Sequence, residues 1–73
     1  MKYFVEEITV MRDGSAPAAI YEKNSEREAR SAFHQAMSSA LINENVVSIH
    51  AQAKNSLGCI YENGTWIAST EEA

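Results

Sequence analysis

Apolar positions recur at a three-four rhythm in the middle of this chain and at a rhythm close to two on either side. Ala29, Ala32, Phe33, Ala36, Met37, Ala40 and Leu41 make one stripe of a helix. Ser25-Glu26-Arg27-Glu28 fits a capping box, in which the serine accepts the amide of the third helical residue and the glutamate reaches back. Glu26 and Arg30 are an i,i+4 pair in the better orientation. Arg27, Arg30, Ser31, His34, Gln35 and Ser38 form the polar side. The spacing predicts a helix from Ser25 to about Ile42. Asn43-Glu44-Asn45 ends it, asparagine being able to take a left-handed cap.

Four segments around the helix, and a short fifth, read as strands. Residues 3–11 are rich in β-branched and aromatic types. Phe4, Ile8 and Val10 share one face with Glu6, and Tyr3, Val5 and Met11 share the other with Glu7. Either both faces are partly covered, or a bulge near Glu6-Glu7 switches the phase. Arg12-Asp13-Gly14-Ser15 supplies a turn. Residues 16–22 return as a second strand, with Pro17 placing it at an edge, where a missing amide hydrogen costs least. Residues 46–54 alternate: Val47, Ile49, Ala51 and Ala53 point one way, Ser48, His50, Gln52 and Lys54 the other. Asn55-Ser56-Leu57-Gly58 turns the chain. Asn63-Gly64 predicts a two-residue type I′ turn joining Cys59–Glu62 to a short fifth strand, Thr65–Ala68. That register opposes Tyr61 to Trp66 and Ile60 to Ile67. The polar tail, Ser69–Ala73, is expected to fray.

These elements imply a single α+β domain over residues 1–73. Its order is β-β-α-β-β, with a four-stranded, mainly antiparallel sheet of spatial order 2-1-3-4 and one helix on one face. The crossover through the helix is expected to be right-handed.

A chain of 73 residues buries only about 60% of the surface it exposes when unfolded. Cys59 is the single cysteine, so no internal disulfide and no multi-cysteine zinc site can support the core. Self-association is the remaining support, and a homodimer is expected. The net charge of −4 and the scattering of the six cations, Lys2, Arg12, Lys23, Arg27, Arg30 and Lys54, argue against nucleic acid as the partner. The apolar run after Lys2 is only Tyr3-Phe4-Val5, too short for a secretory segment. No stretch approaches the roughly 20 apolar residues of a membrane span. The expectation is a cytoplasmic protein.

Little in the chain carries chemistry. His34 lies on the polar side of the helix and His50 on the outward face of its strand, and neither sits in a metal-ligand spacing. Cys59 opens a strand with no adjacent cation and reads as a buried or partly buried structural thiol. Glu6 and Glu7 are strand neighbours and point to opposite faces. Neither G-x-G-x-x-G nor a Walker lysine motif is present. No catalytic residue, cofactor or metal is predicted. With Ile60 and Ile67 facing the helix, Tyr61 and Trp66 would lie on the uncovered side of the sheet, joined by Tyr21 and by Tyr3 or Phe4. An exposed apolar patch of that kind marks an interface. Tyr61, Trp66, Tyr21 and Tyr3 are therefore the candidate interface residues.

The opening Met-Lys-Tyr-Phe-Val-Glu-Glu-Ile-Thr-Val, the segment Ala-Pro-Ala-Ala-Ile-Tyr-Glu, Ala-Phe-His-Gln-Ala on the helix and Asn-Glu-Asn-Val before the third strand carry a resemblance. The chain resembles short uncharacterised bacterial proteins encoded in phage-like or other mobile-element neighbourhoods. The resemblance implies a bacterial, cytoplasmic origin and transfers no functional residue. The expected function is a non-enzymatic protein-binding module, homodimeric through the open sheet face. The alternative is a small nucleic-acid-binding or transcription-regulating module.

Overall fold

The computed structural model describes residues 1–68; the expected fraying of Ser69–Ala73 falls outside them. Four strands and one helix follow in the order β1 (Tyr3–Met11), β2 (Ala18–Lys23), α1 (Glu26–Ile42), β3 (Val46–Asn55) and β4 (Ile60–Ile67). The sheet order is β2-β1-β3-β4 and every neighbouring pair is antiparallel. The helix covers one face, packing chiefly on β3. This is the α+β architecture that the periodicity predicts, with the strand after Pro17 at an edge.

Helix α1 starts where its capping residues place it. Ser25 Oγ accepts the Glu28 amide at 3.1 Å. The Glu28 carboxylate reaches back one residue further than a simple capping box requires and accepts the Asn24 amide at 2.9 Å. Glu26 meets Arg30 at 2.8 Å, one turn on. The C-terminus departs from expectation. Asn43 is extended (φ −97°), not left-handed, and its amide donates to the Ala40 carbonyl. The Asn43 side chain accepts the Asn45 amide at 2.9 Å, which steers the chain directly into β3. Leu41, assigned to the apolar stripe, is exposed in the last helical turn.

The core is thin and built on alanine. Ala29, Ala51 and Ala53 are completely inaccessible to solvent, and Val5 and Phe33 complete this cluster. Small side chains on both sides let the helix approach the sheet closely, so Phe33 is the one large ring buried between them. A second cluster of Ala40, Val46 and Ile49 closes the other end. Both faces of β1 carry apolar residues, and no bulge interrupts Glu6-Glu7; the register shift falls instead between Val10 and Met11. That shift pairs Met11 with Val46 and buries Val46, while Val47 is only partly buried.

The largest correction concerns the C-terminal segment. Asn63-Gly64 is not a turn, and the short fifth strand does not exist among the described residues. Ile60–Ile67 is one strand, paired with β3 through Ala51↔Gly64 and Gln52↔Asn63. The hairpin turn lies earlier, at Ser56–Gly58, where Gly58 carries the positive φ of +89°. Gly64 has no positive φ. A ten-residue β3 could not be covered by a four-residue hairpin arm, whereas an eight-residue β4 satisfies most of its length.

Candidate interaction surface

Cross-strand register assigns every strand residue to a face. Tyr3, Val5, Glu7, Thr9 and Met11 of β1 look toward the helix, and Phe4, Glu6, Ile8 and Val10 look away from it. On β4 the Tyr61–Glu62 step opposes two residues to Ala53. This bulge keeps Tyr61 and Glu62 on the helix side, together with Gly64 and Trp66, and leaves Ile60, Asn63, Thr65 and Ile67 on the open side.

The four aromatic residues expected to form an exposed platform therefore lie on the helix side. Trp66 packs against the Ala40–Val46–Ile49 cluster. Tyr3 and Tyr61 stack at 6.4 Å between ring centroids, with Tyr3 packed on the first core cluster. Tyr21, at the edge strand, remains half exposed with Lys23 Nζ 5.7 Å from its ring centre. Two features set the faces: β4 continues through Asn63-Gly64, and the bulge at Tyr61–Glu62 shifts its phase, so Ile60 and Ile67 point outward and both rings inward.

Asn55, expected within the turn, is the last residue of β3 and a structural one. It is buried, its amide nitrogen donates to the Tyr61 hydroxyl at 2.8 Å, and its side-chain oxygen accepts from the Leu57 and Cys59 amides at 2.9 and 3.1 Å. One side chain thus closes the β3–β4 turn and anchors the Tyr61 ring. Cys59, expected to be buried or partly buried, is exposed; its backbone, not its thiol, serves the turn.

The open face mixes apolar and polar rows. Ile8 lies opposite Ala18 on one side and His50 on the other, with Ile20 one step along β2. Together with Glu6, Glu7 and Ala19 these residues line a shallow depression of about 300 Å³. Ile67, 71% exposed, lies at the far edge. Between them, His50 Nδ1 and Thr65 Oγ1 hydrogen-bond at 2.8 Å, and Lys54 pairs with Glu6 at 3.2 Å. On the helix side, a groove of about 480 Å³ runs between α1 and the β1–β2 half of the sheet. Glu7, Thr9, Tyr21 and Lys23 floor it, and Gln35 and Ser39 wall it.

The charges are largely spoken for. Arg30 Nε and His34 Nε2 both lie 3.1 Å from one oxygen of Glu62, tying the helix to β4. The Arg30 hydrogen bond and then that of His34 hold the Glu62 carboxyl below its ordinary range. Asp13 is lowered by the Ser15 hydroxyl and amide, which both donate to it. Lys2 faces Glu22 at 3.6 Å, and the Arg12 guanidinium donates to the Glu44 carbonyl. Among the described residues no three His, Cys, Asp or Glu side chains converge as metal ligands, and no helix is long and apolar enough to cross a membrane. No known protein family, curated protein or solved structure matches the chain.

Proposed function

We propose that this is a non-enzymatic protein-binding module that acts as a homodimer in the bacterial cytoplasm, with the open face of its sheet as the surface that receives another protein. The observation that carries the reading is the exposure of Ile8 and Ile20 beside a depression on a face that no element covers among the described residues. Apolar side chains grouped on a strand face and rimmed by polar ones are the usual composition of a protein contact. The bacterial setting is part of the proposal and rests only on the expected resemblance to proteins of phage-like and mobile-element neighbourhoods. The nucleic-acid alternative is less well supported. Lys2, Lys54 and Arg30 each face a carboxylate, so neutralising phosphate would first require breaking those pairs.

The test is affinity capture from nuclease-treated bacterial lysate, comparing the parent with an Ile8→Lys, Ile20→Lys double variant. Both positions are exposed, so the variant is expected to melt like the parent and to lose the captured protein. A captured protein retained in full by the folded variant would overturn the assignment of the face. Capture abolished by nuclease would favour the nucleic-acid reading.

A further inference from the structure

The two edges of the sheet are built differently. The β2 edge is six residues long, is preceded by Pro17 and ends in Glu22 and Lys23. Proline, charge and short length are the devices that keep an edge from pairing with another chain. The β4 edge is eight residues long, has no proline, and runs through the uncharged stretch Asn63-Gly64-Thr65-Trp66-Ile67.

One bond fixes which β4 groups point outward. The Ala68 amide donates to the Val47 carbonyl at 2.8 Å, so Val47 and Ala68 form a hydrogen-bonded pair. Antiparallel pairs alternate, which makes Ile49/Trp66 and Ala51/Gly64 hydrogen-bonded as well and turns the N–H and C=O groups of Asn63, Thr65 and Ile67 away from β3. Another strand matches such a row of alternating donors and acceptors.

We propose that a second copy of this chain pairs antiparallel along β4, with Thr65 on the two-fold axis, to make a continuous eight-stranded sheet. Thr65 then faces the partner's Thr65, and Asn63 faces the partner's Ile67, so all three outward residues of each copy exchange hydrogen bonds. Shifting the axis to Gly64 loses the Ile67 pairs. With Thr65 on the axis, Gly64 falls opposite the partner's Trp66 in the narrower pairs, where side chains lie closest. No charge lies within the paired stretch, so the net charge of −4 does not oppose the contact at the seam. The helices also fit. Each stands chiefly over β3, and three strand spacings of about 4.8 Å hold the two helices roughly 14 Å apart, beyond the 8–10 Å of packed helices.

The seam specifies the homodimer proposed above and does not depend on what the open face binds. It is tested by cysteine pairing in a Cys59→Ser background. Residues opposed in a hydrogen-bonded antiparallel pair lie about 5.5 Å apart at Cα, within the disulfide range. Under mild oxidation Thr65→Cys should link copy to copy. Asn63→Cys and Ile67→Cys should each fail alone and link when mixed. Light scattering should show a dimer for the parent and a monomer for Thr65→Pro, whose lost amide points away from β3. A parent that stays monomeric near millimolar concentration would overturn both the homodimer and the seam. A dimer that fails to link through Thr65 but dissociates with Ile8→Lys, Ile20→Lys would overturn the seam alone and move the second copy to the open face.

Discussion

Gly64 lies directly against the Phe33 ring: a Cβ at that position would meet Phe33 Cζ at 3.0 Å and Met37 Cε at 3.4 Å. The glycine is there for close approach, since its backbone does not take a positive φ. Gly64→Ala should therefore cost about 1–3 kcal/mol, the usual range for overpacking a tight core. Phe33→Leu in the same chain should recover part of the loss by giving the methyl room. Denaturant titration of the two single variants and the double measures this coupling directly. Additive losses would show that the two positions do not meet.

Phe33 itself is the largest residue enclosed between helix and sheet, surrounded by Ala29, Ala51, Ala53 and Val5. Alanines cannot move in to fill the space that Phe33→Ala would leave. The cost should fall near 3–5 kcal/mol, comparable to the whole stability expected of a core this small. Circular dichroism should show a largely unfolded chain at ambient temperature. A cooperative melt near the parent midpoint would contradict the packing.

Asn55 supplies a sharper test of a polar group. Asn55→Ala removes the acceptor of two turn amides and the donor to Tyr61, and should cost about 1–3 kcal/mol. Asn55→Asp keeps the acceptor for Leu57 and Cys59 and can accept a hydrogen bond from the Tyr61 hydroxyl in place of donating one to it. It should lose less than the alanine variant in thermal melts at neutral pH. Equal losses would mean that the turn does not depend on those two amide bonds.

The ion pairs between α1 and β4 should give a defined pH response. The folded state holds the Glu62 carboxyl below its ordinary value of 4.5. A carboxyl depressed on folding stabilises the folded state at pH above its unfolded value, and that contribution disappears as the pH falls through the folded value. The stability difference between the parent and Glu62→Gln should be present at neutral pH and close as the solution is acidified below about 4.5. Added salt should shrink it at neutral pH, because the pair is exposed. A difference that persists unchanged at strongly acid pH would show that it does not come from the charge on the carboxylate.

The chain made its architecture legible through periodicity and hid its surface through one dipeptide. The alanine-phenylalanine stripe, the Ser25 cap and the alternation of residues 48–54 each describe a local preference that agrees with the tertiary fold. Asn63-Gly64 does not. Its preference for a tight turn is a local energy, whereas pairing along β3 and the space that Phe33 occupies are tertiary requirements, and these prevail. A glycine inside a strand can mark close approach of a neighbour, and the length of β3 calls for an equally long partner. Those two signals, read together, distinguish the strand from the hairpin. Alternation alone would then separate Tyr61 from Trp66; the bulge at Tyr61–Glu62 shifts the phase and returns both rings to the helix side, with Ile60 and Ile67 on the other.

Trp66 shows the consequence most directly. On an open face it would be an interface residue, and Trp66→Asp would leave the fold intact while shifting mass toward monomer. Against Ala40, Val46 and Ile49 it is a half-buried core residue whose replacement removes apolar contact and brings a carboxylate beneath the helix. Trp66→Asp should therefore destabilise the monomer by roughly 2–4 kcal/mol. Ile67→Asp, one residue away but outward, should change the monomer's stability far less. Thermal melts at concentrations low enough to suppress association separate the two effects. Equal midpoints for the two variants would return Trp66 to the open face.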